Sequence, residues 1–191
     1  QLPDSLTPVI HQGSASLVYI AGKQERYIFI DDIGKAEQLI NSFSLTTYSH
    51  NVWSLLEITE GFPLLADPAI AEYVPQMLNL QAINGISFTK GCYLGQETVA
   101  RMQYLGKNKR ALFALLGKTE MPVNAGDILE KQLGENWRKA GDVLASYQAD
   151  NGDNYIQAVL ASDIDQTGAI RVKHQPASAL SLSALPYSLS E

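Results

Sequence analysis

Cysteine and histidine are scarce in this sequence, and their scarcity excludes several kinds of site. Cys92 is the single cysteine among 191 residues, so no disulfide can form within the chain. The histidines His11, His50 and His174 lie far apart and show no spacing typical of metal ligands. We therefore expect no metal site made from the protein's own side chains.

Long apolar runs and excess positive charge are also missing. No stretch approaches the roughly 20 apolar residues that a membrane-crossing helix needs, and the first residues lack the pattern of a signal peptide. The net charge of −6 disfavours electrostatic attachment to nucleic acid or to an anionic membrane. These features predict a cytoplasmic protein without a membrane partner and without stable nucleic-acid binding.

The residues that are present are typical of a folded protein. Hydrophobic residues make up 46% of the chain and charged residues 18%, which is too apolar for a disordered chain. The length allows one large or two modest domains. Because the sequence opens without methionine and runs at once into Pro3, Thr7 and Pro8, we treat it as a fragment or processed form.

The first part of the chain mixes strand and helix patterns. Residues 17–20 and 27–30 are rich in β-branched and aromatic residues and predict a hairpin. Asp31 and Asp32 follow, and either aspartate is placed to cap a helix whose apolar residues repeat over residues 33–43. The pattern predicts a β-β-α unit.

Further helices are predicted before the middle of the chain. Residues 52–58 have a helical apolar pattern that should end near Gly61. Residues 71–80 also fit a helix, although this region is rich in turns. Residues 96–104 predict another helix, which should end near Gly106.

The pattern changes near residue 108 to short strands separated by turns, which predicts a small β-barrel or sandwich. The predicted strands are residues 111–116, 142–148, 155–160 and 169–173. Residues 177–190 predict an irregular or short-strand tail. The sequence therefore predicts an α+β protein with domains over residues 1–108 and 109–191.

One loop combines the features expected of a reactive site. Gly91 and Gly95 bracket Cys92 and permit close approach to the backbone. The helix predicted from Gln96 and the nearby Lys90 would both favour a thiolate. A buried structural cysteine is the alternative interpretation, and local chemistry leaves both open.

The string Lys-Gly-Cys-Tyr-Leu-Gly-Gln-Glu at residues 90–97 resembles the signature of the YgfZ family, folate-binding relatives of the glycine-cleavage T-protein. Similar stretches cover nearly the whole chain: residues 52–63, 73–82, 106–112, 134–139 and 185–189. The resemblance implies a T-protein-like folate platform, of which residues 1–108 form the C-terminal part, followed by a β-barrel. It also implies that the family's N-terminal domain is absent from this chain.

The resemblance assigns roles to residues on two elements. It implies that Trp53 contacts folate, and an indole face suits stacking on a pterin ring, although a packing role is the alternative. It makes Cys92 the reactive group, with Lys90 beside it. It also suggests folate contacts on the same loop, at Gly91, Tyr93, Gln96 and Glu97.

Some of these loop residues have structural alternatives. Gln96 and Glu97 would also suit the first turn of a helix, and Tyr93 would also suit packing against the loop. Positive charges cluster nearby, where they would attract folate carboxylates or RNA phosphate, or would form an ordinary solvated surface. The cluster comprises Arg101, Lys107, Lys109 and Arg110.

The function implied by the resemblance is that of an accessory protein rather than a classical enzyme. It would bind tetrahydrofolate and support iron–sulfur enzymes, including those that thiolate tRNA, so that its link to tRNA modification is indirect. Folate-dependent one-carbon chemistry and thiol chemistry at Cys92 are both open. The alternatives are an aminomethyltransferase of the T-protein type, which needs no cysteine, and an interaction module without chemistry.

Overall fold

The computed structural model describes residues 2–104, 106, 108–165 and 167–189. By its internal contacts the chain divides into two compact units, residues 1–49 and residues 50–191. The predicted division between residues 108 and 109 lies where the barrel begins, within the second of these units. The boundary between the platform and the barrel at residues 108 and 109 therefore stays a prediction.

The first unit is a small antiparallel sheet followed by a helix. Its strands are β1 (Val9–Gln12), β2 (Ala15–Ile20) and β3 (Arg26–Ile30), and β2 lies between the other two. Helix α1 (Ile33–Ser42) follows directly. The predicted hairpin and the helix after it are confirmed.

The start of α1 differs in detail from the predicted cap. Asp32 occupies the N-cap position, but its side chain makes no capping hydrogen bond; its carbonyl accepts from the amides of Lys35 and Ala36 instead. The Asp31 carboxylate accepts from Ser14 Oγ at 2.7 Å, which lowers the pKa of Asp31. The prediction of an aspartate side-chain cap is therefore wrong, because the Asp31 carboxylate is turned toward Ser14.

The second unit begins with helix α2 (Asn51–Thr59), which ends where the sequence predicted. Gly61 has a left-handed φ of +67°. The Phe62 amide donates to the Glu57 carbonyl at 2.9 Å, and the Gly61 amide donates to the Ile58 carbonyl at 3.2 Å. This pair of bonds is the Schellman arrangement, which satisfies the last carbonyls of a helix.

Gly61→Ala is expected to lower the free energy of unfolding by roughly 2–4 kcal/mol, measured by urea denaturation. A Cβ there would lie 2.8 Å from the ring of Tyr187 and 2.9 Å from Leu185, at a backbone angle that alanine disfavours. Gly34→Ala in α1 is the control, since a Cβ at Gly34 meets no atom within 4 Å. Equal stability of Gly61→Ala and the wild-type protein would contradict this crowding.

A turn-rich segment links α2 to the next helix. It contains the 3₁₀ turns Asp67–Ala69 and Pro75–Leu78, so the predicted helix over residues 71–80 is wrong. Pro75 disfavours helical backbone at the residue before it, and Val74 is extended with ψ 154°. Helix α3 (Gln96–Tyr104) then follows, as predicted.

Strands β4 to β9 form a closed antiparallel barrel in the order β4-β7-β6-β5-β8-β9, with β9 paired to β4. The strands are β4 (Arg110–Lys118), β5 (Ile128–Leu133), β6 (Asn136–Gln148), β7 (Asp153–Ala161), β8 (Ile170–Val172) and β9 (Gln175–Ser183). The barrel and the predicted strands are confirmed. Strand β5 was not predicted, and β9 takes up much of the predicted tail.

The barrel has apolar residues on both of its faces. Its interior holds a cluster that includes Leu115, Leu129 and Ile156. A second cluster on the outer face joins Leu112 and Val159 to residues of the two 3₁₀ turns. The turn-rich segment is therefore packed on the barrel, which fixes the position from which α3 begins. No helix in the described ranges is long and apolar enough to span a bilayer.

Candidate functional site

The cysteine loop enters α3 through a tight turn. The Gln96 amide donates to the Tyr93 carbonyl at 3.2 Å, and the Val99 amide donates to the Gly95 carbonyl at 3.3 Å. Gly95 has a left-handed φ of +85°, which glycine adopts without strain. The glycine at this position is thus required by the turn that starts the helix.

Cys92 is exposed on this loop. Leu94, two residues further on, is also fully exposed. A thiol in such a position is open to solvent and to a reacting molecule, and the alternative of a buried structural cysteine is wrong. The open position of the thiol is the observation on which a chemical role for this loop depends.

Lys90 and Tyr93, which flank Cys92 in the sequence, contact each other in the structure. The Lys90 ammonium lies 4.4 Å from the centroid of the Tyr93 ring, at the distance of a cation–π interaction. The Lys90 amide donates to Ser87 Oγ at 3.2 Å. These contacts order the loop around Cys92 and give Tyr93 the loop-packing role that the sequence left open.

The remaining loop residues differ in what constrains them. Gly91 is not left-handed, and a Cβ there would meet no atom within 4 Å, so the space beside it is open. Gln96 is half-buried, and Glu97 is exposed in the first turn of α3. Arg101 lies in the last turn of α3. The helix dipole therefore favours both the negative charge of Glu97 at the N-terminus and the positive charge of Arg101 at the C-terminus.

Helix α3 is held from behind by amide side chains. Gln76 Nε2 donates to the Val99 carbonyl at 2.7 Å, and Asn108 Nδ2 donates to the Gln76 carbonyl at 2.6 Å. Gln76 is only 2% exposed. The sequence analysis did not find these residues; the only signal was an amide within an otherwise apolar segment.

Trp53 lies on a different element from the loop. It is half-buried on α2, which packs on β6 and β7. The end of α2 is fixed by Gln157 of β7, whose Nε2 donates to the Phe62 carbonyl at 2.7 Å and whose Oε1 accepts from the Leu64 amide at 3.2 Å. The candidate site residues are thus positioned by two helices, each anchored separately.

A cleft of about 610 Å³ lies between α3, the second 3₁₀ turn and the barrel, and Gln76, Asn79 and Met102 are among its lining residues. None of the site residues predicted from the sequence lines this cleft. The cleft therefore borders the helix that follows the loop and does not contain the thiol.

The residues of the predicted basic cluster differ in their surroundings. Arg110 pairs with Asp142 at 3.2 Å and lies over the Tyr73 ring, 5.8 Å from its centroid. Arg101 and Lys109 are exposed, and Lys107 lies outside the described residues. The Arg110 guanidinium is thus occupied by a carboxylate of its own chain, which weakens the interpretation of the cluster as a phosphate or folate contact.

Comparison with known proteins shows which proteins this chain resembles. The sequence-family model for the YgfZ β-barrel domain matches residues 108–175 of this chain. The chain is 61% identical over 189 residues to the tRNA-modifying protein YgfZ of Colwellia psychrerythraea, an alignment that covers 99% of this chain and 58% of that protein. The chain therefore resembles YgfZ proteins over nearly its whole length. The predicted resemblance to the YgfZ family is thereby confirmed.

Other YgfZ proteins align over the whole chain. Identity is 44% over 195 residues for Pectobacterium atrosepticum and 42% over 193 residues for Yersinia enterocolitica, with 58% of each relative covered. Both relatives are named tRNA-modifying protein YgfZ. The chain thus spans a little over half the length of the YgfZ relatives it matches.

The fold of this chain is similar to that of a glycine-cleavage enzyme. The crystal structure of the glycine cleavage system aminomethyltransferase T from Bartonella henselae superposes with a TM-score of 0.58 at 15% identity. The match covers 92% of this chain and 50% of that one. The T-protein-like platform with a barrel is therefore confirmed as the fold.

Proposed function

We propose that this chain is part of a tetrahydrofolate-binding protein that supports tRNA modification, with Cys92 as its reactive group. The observation that carries the proposal is the exposed thiol on an ordered, glycine-containing loop at the start of α3. The relatives' name, tRNA-modifying protein, supports the biological role. Because the chain spans 58% of those relatives, the proposal concerns the full-length protein.

The folate site is proposed to use both helices. Trp53 supplies an aromatic face for the pterin ring, since an indole is a large and rigid stacking surface. Gly91 leaves open space beside the loop, because a Cβ there would meet no atom within 4 Å. Tyr93, Gln96 and Glu97 on the same loop are proposed as further folate contacts. The portion of the relatives that this chain does not span is proposed to complete this site.

The thiol of Cys92 is proposed to be the reacting group. Cys92 is exposed four residues before α3, and Lys90 adds a cation to the same loop. A thiolate suits three kinds of chemistry, namely accepting a one-carbon unit, exchanging with disulfides, and carrying sulfur or iron. In each of them, the loss of the thiol removes the activity.

The partners proposed for the full-length protein are iron–sulfur enzymes, including those that thiolate tRNA. The net charge of −6 favours such an indirect route over direct attachment to tRNA. The cytoplasm is proposed as the compartment, because tRNA is modified there.

Aminomethyl transfer is the second candidate, favoured by the likeness to aminomethyltransferase T. At 15% identity that likeness concerns the fold. A T-protein mechanism would leave the exposed Cys92 without a role, and an interaction module would do the same. We therefore prefer the thiol-based proposal to both.

Trp53→Ala is expected to weaken tetrahydrofolate binding about tenfold or more, because a stacked ring contributes roughly 1–3 kcal/mol. Calorimetry on the full-length protein would measure the dissociation constant. In a Trp137→Phe background, folate should also quench the fluorescence of Trp53. Trp137→Ala is the matched control, and it should bind normally because Trp137 stacks on Arg171 at 3.9 Å. Unchanged affinity in Trp53→Ala would remove this residue from the site.

A further inference from the structure

A run of hydrogen bonds leads from the end of α2 to α3 within the second unit. It starts at the Gly61 carbonyl, which accepts from Tyr187 Oη at 2.7 Å. Asn79 Nδ2 donates in turn to Tyr187 Oη at 3.4 Å. Tyr187 follows the last barrel strand, so a residue distant in sequence joins two segments that lie before the barrel.

Asn79 is held rigidly in the middle of this run. It is 0% exposed and ends the second 3₁₀ turn in a left-handed conformation with φ 57°. Its Nδ2 donates to the Leu112 carbonyl at 2.8 Å, and its Oδ1 accepts from the Leu112 amide at 3.2 Å. The amide of Asn79 is therefore fixed on β4 by both of its polar atoms.

The run continues through the same 3₁₀ turn to α3. Gln76 lies one turn before Asn79, and its side chain donates to the Val99 carbonyl. Both amides are buried, where hydrogen bonds are stronger and unsatisfied groups are costly. Breaking either of these hydrogen bonds would leave a buried amide unsatisfied, so a displacement at one end favours movement of the neighbouring members.

The α2 end of the run has little free space. A Cβ at Gly61 would be 2.8 Å from the Tyr187 ring, so the ring lies directly against the helix end. Burial raises the pKa of Tyr187, so its hydroxyl stays protonated and donates to Gly61 through the neutral range. A movement of α2 would therefore displace Tyr187, because the ring packs against Gly61 and its hydroxyl is hydrogen-bonded to the Gly61 carbonyl.

We propose that Tyr187 and Asn79 are positioning residues that couple the Trp53 helix to the Cys92 loop, so that tetrahydrofolate binding changes the reactivity of the thiol. The inference rests on the proposed function, since it assumes folate at Trp53 and chemistry at Cys92. It adds that folate binding at Trp53 and the reactivity of Cys92 are coupled through the hydrogen bonds that lead from Gly61 to Val99.

The test compares the alkylation rate of Cys92 by iodoacetamide with and without tetrahydrofolate, in the full-length protein under anaerobic conditions. For the wild-type protein we expect folate to change the rate about fivefold or more, which corresponds to the lower end of the usual coupling between linked sites. In Tyr187→Phe we expect a ratio close to one, with the dissociation constant of folate changed by less than about threefold. Tyr155→Phe, a half-buried tyrosine of β7 outside this run, should keep the wild-type ratio.

The outcomes separate the inference from the proposed function. If wild-type protein does not bind tetrahydrofolate, the proposed function fails. If it binds but the rate ratio is one, or if Tyr187→Phe keeps the wild-type ratio, the coupling is overturned. Should Tyr187→Phe not fold, Gln76→Met removes the bond at the other end of the run, and a wild-type ratio in that variant overturns the coupling equally.

Discussion

Cys92→Ala is expected to abolish the cellular function of the full-length protein while leaving its fold and stability unchanged. The side chain is exposed, so its removal leaves no cavity, and the free energy of unfolding should change by less than about 0.5 kcal/mol. The proposed thiol chemistry, in contrast, has no substitute within this chain, because Cys92 is its single cysteine. Thiolated tRNA in a deletion strain carrying the variant would measure the loss.

Two control variants separate the thiol from the loop that carries it. Cys92→Ser keeps the size and a hydroxyl but should be as inactive as Cys92→Ala, since a hydroxyl ionises far less readily than a thiol. Leu94→Ala removes the neighbouring exposed side chain and should retain function if the loop acts through the sulfur alone. Wild-type levels of tRNA thiolation with Cys92→Ala would refute the proposed role of the thiol.

Gly117→Val is expected to have the largest effect on folding, with a loss on the order of 4 kcal/mol or more in the free energy of unfolding. A Cβ at Gly117 would overlap the carbonyl oxygen of Ala179 and come within 2.9 Å of the Leu180 Cα. Both of these are backbone atoms of β9, which cannot turn away as a flexible side chain would. The substitution therefore separates β4 from β9, the pair that closes the barrel.

Thermal and urea unfolding of Gly117→Val, followed by far-ultraviolet circular dichroism, would measure this loss. Gly34→Ala is again the matched control, expected to be neutral or to stabilise α1 slightly, because alanine is the better helix former. A cooperative transition at the wild-type midpoint in Gly117→Val would show that the β4 and β9 backbones can separate at little cost.

The parts of the fold with local signals could be predicted from the sequence. Gly61 marked the end of α2, and the glycine-containing loop before Gln96 marked the start of α3. Strand β5 carries Glu130 and Lys131, which look like surface residues. Lys131 is in fact buried and paired with Asp165, and such partners in distant segments leave no local trace.

The candidate site was predictable in part for the same reason. The position of Cys92 before a helix follows from the sequence, and its exposure was one of two open alternatives. The choice of Trp53 depended on the family resemblance, because a half-buried tryptophan on a helix has no distinctive local pattern. Asn79 was missed because its partners, Leu112 and Tyr187, are 33 and 108 residues away.

The pairing of β9 with β4 also sets the order in which the chain can mature on the ribosome. The barrel cannot close until β9 has been synthesised, so the nascent chain presents an open edge on β4 for as long as β9 is missing. The hydrogen bond from Tyr187 to the Gly61 carbonyl at the end of α2 forms later still, because Tyr187 is translated after β9. Nascent chains arrested before residue 175 should therefore require chaperone protection, whereas those released after Tyr187 should not.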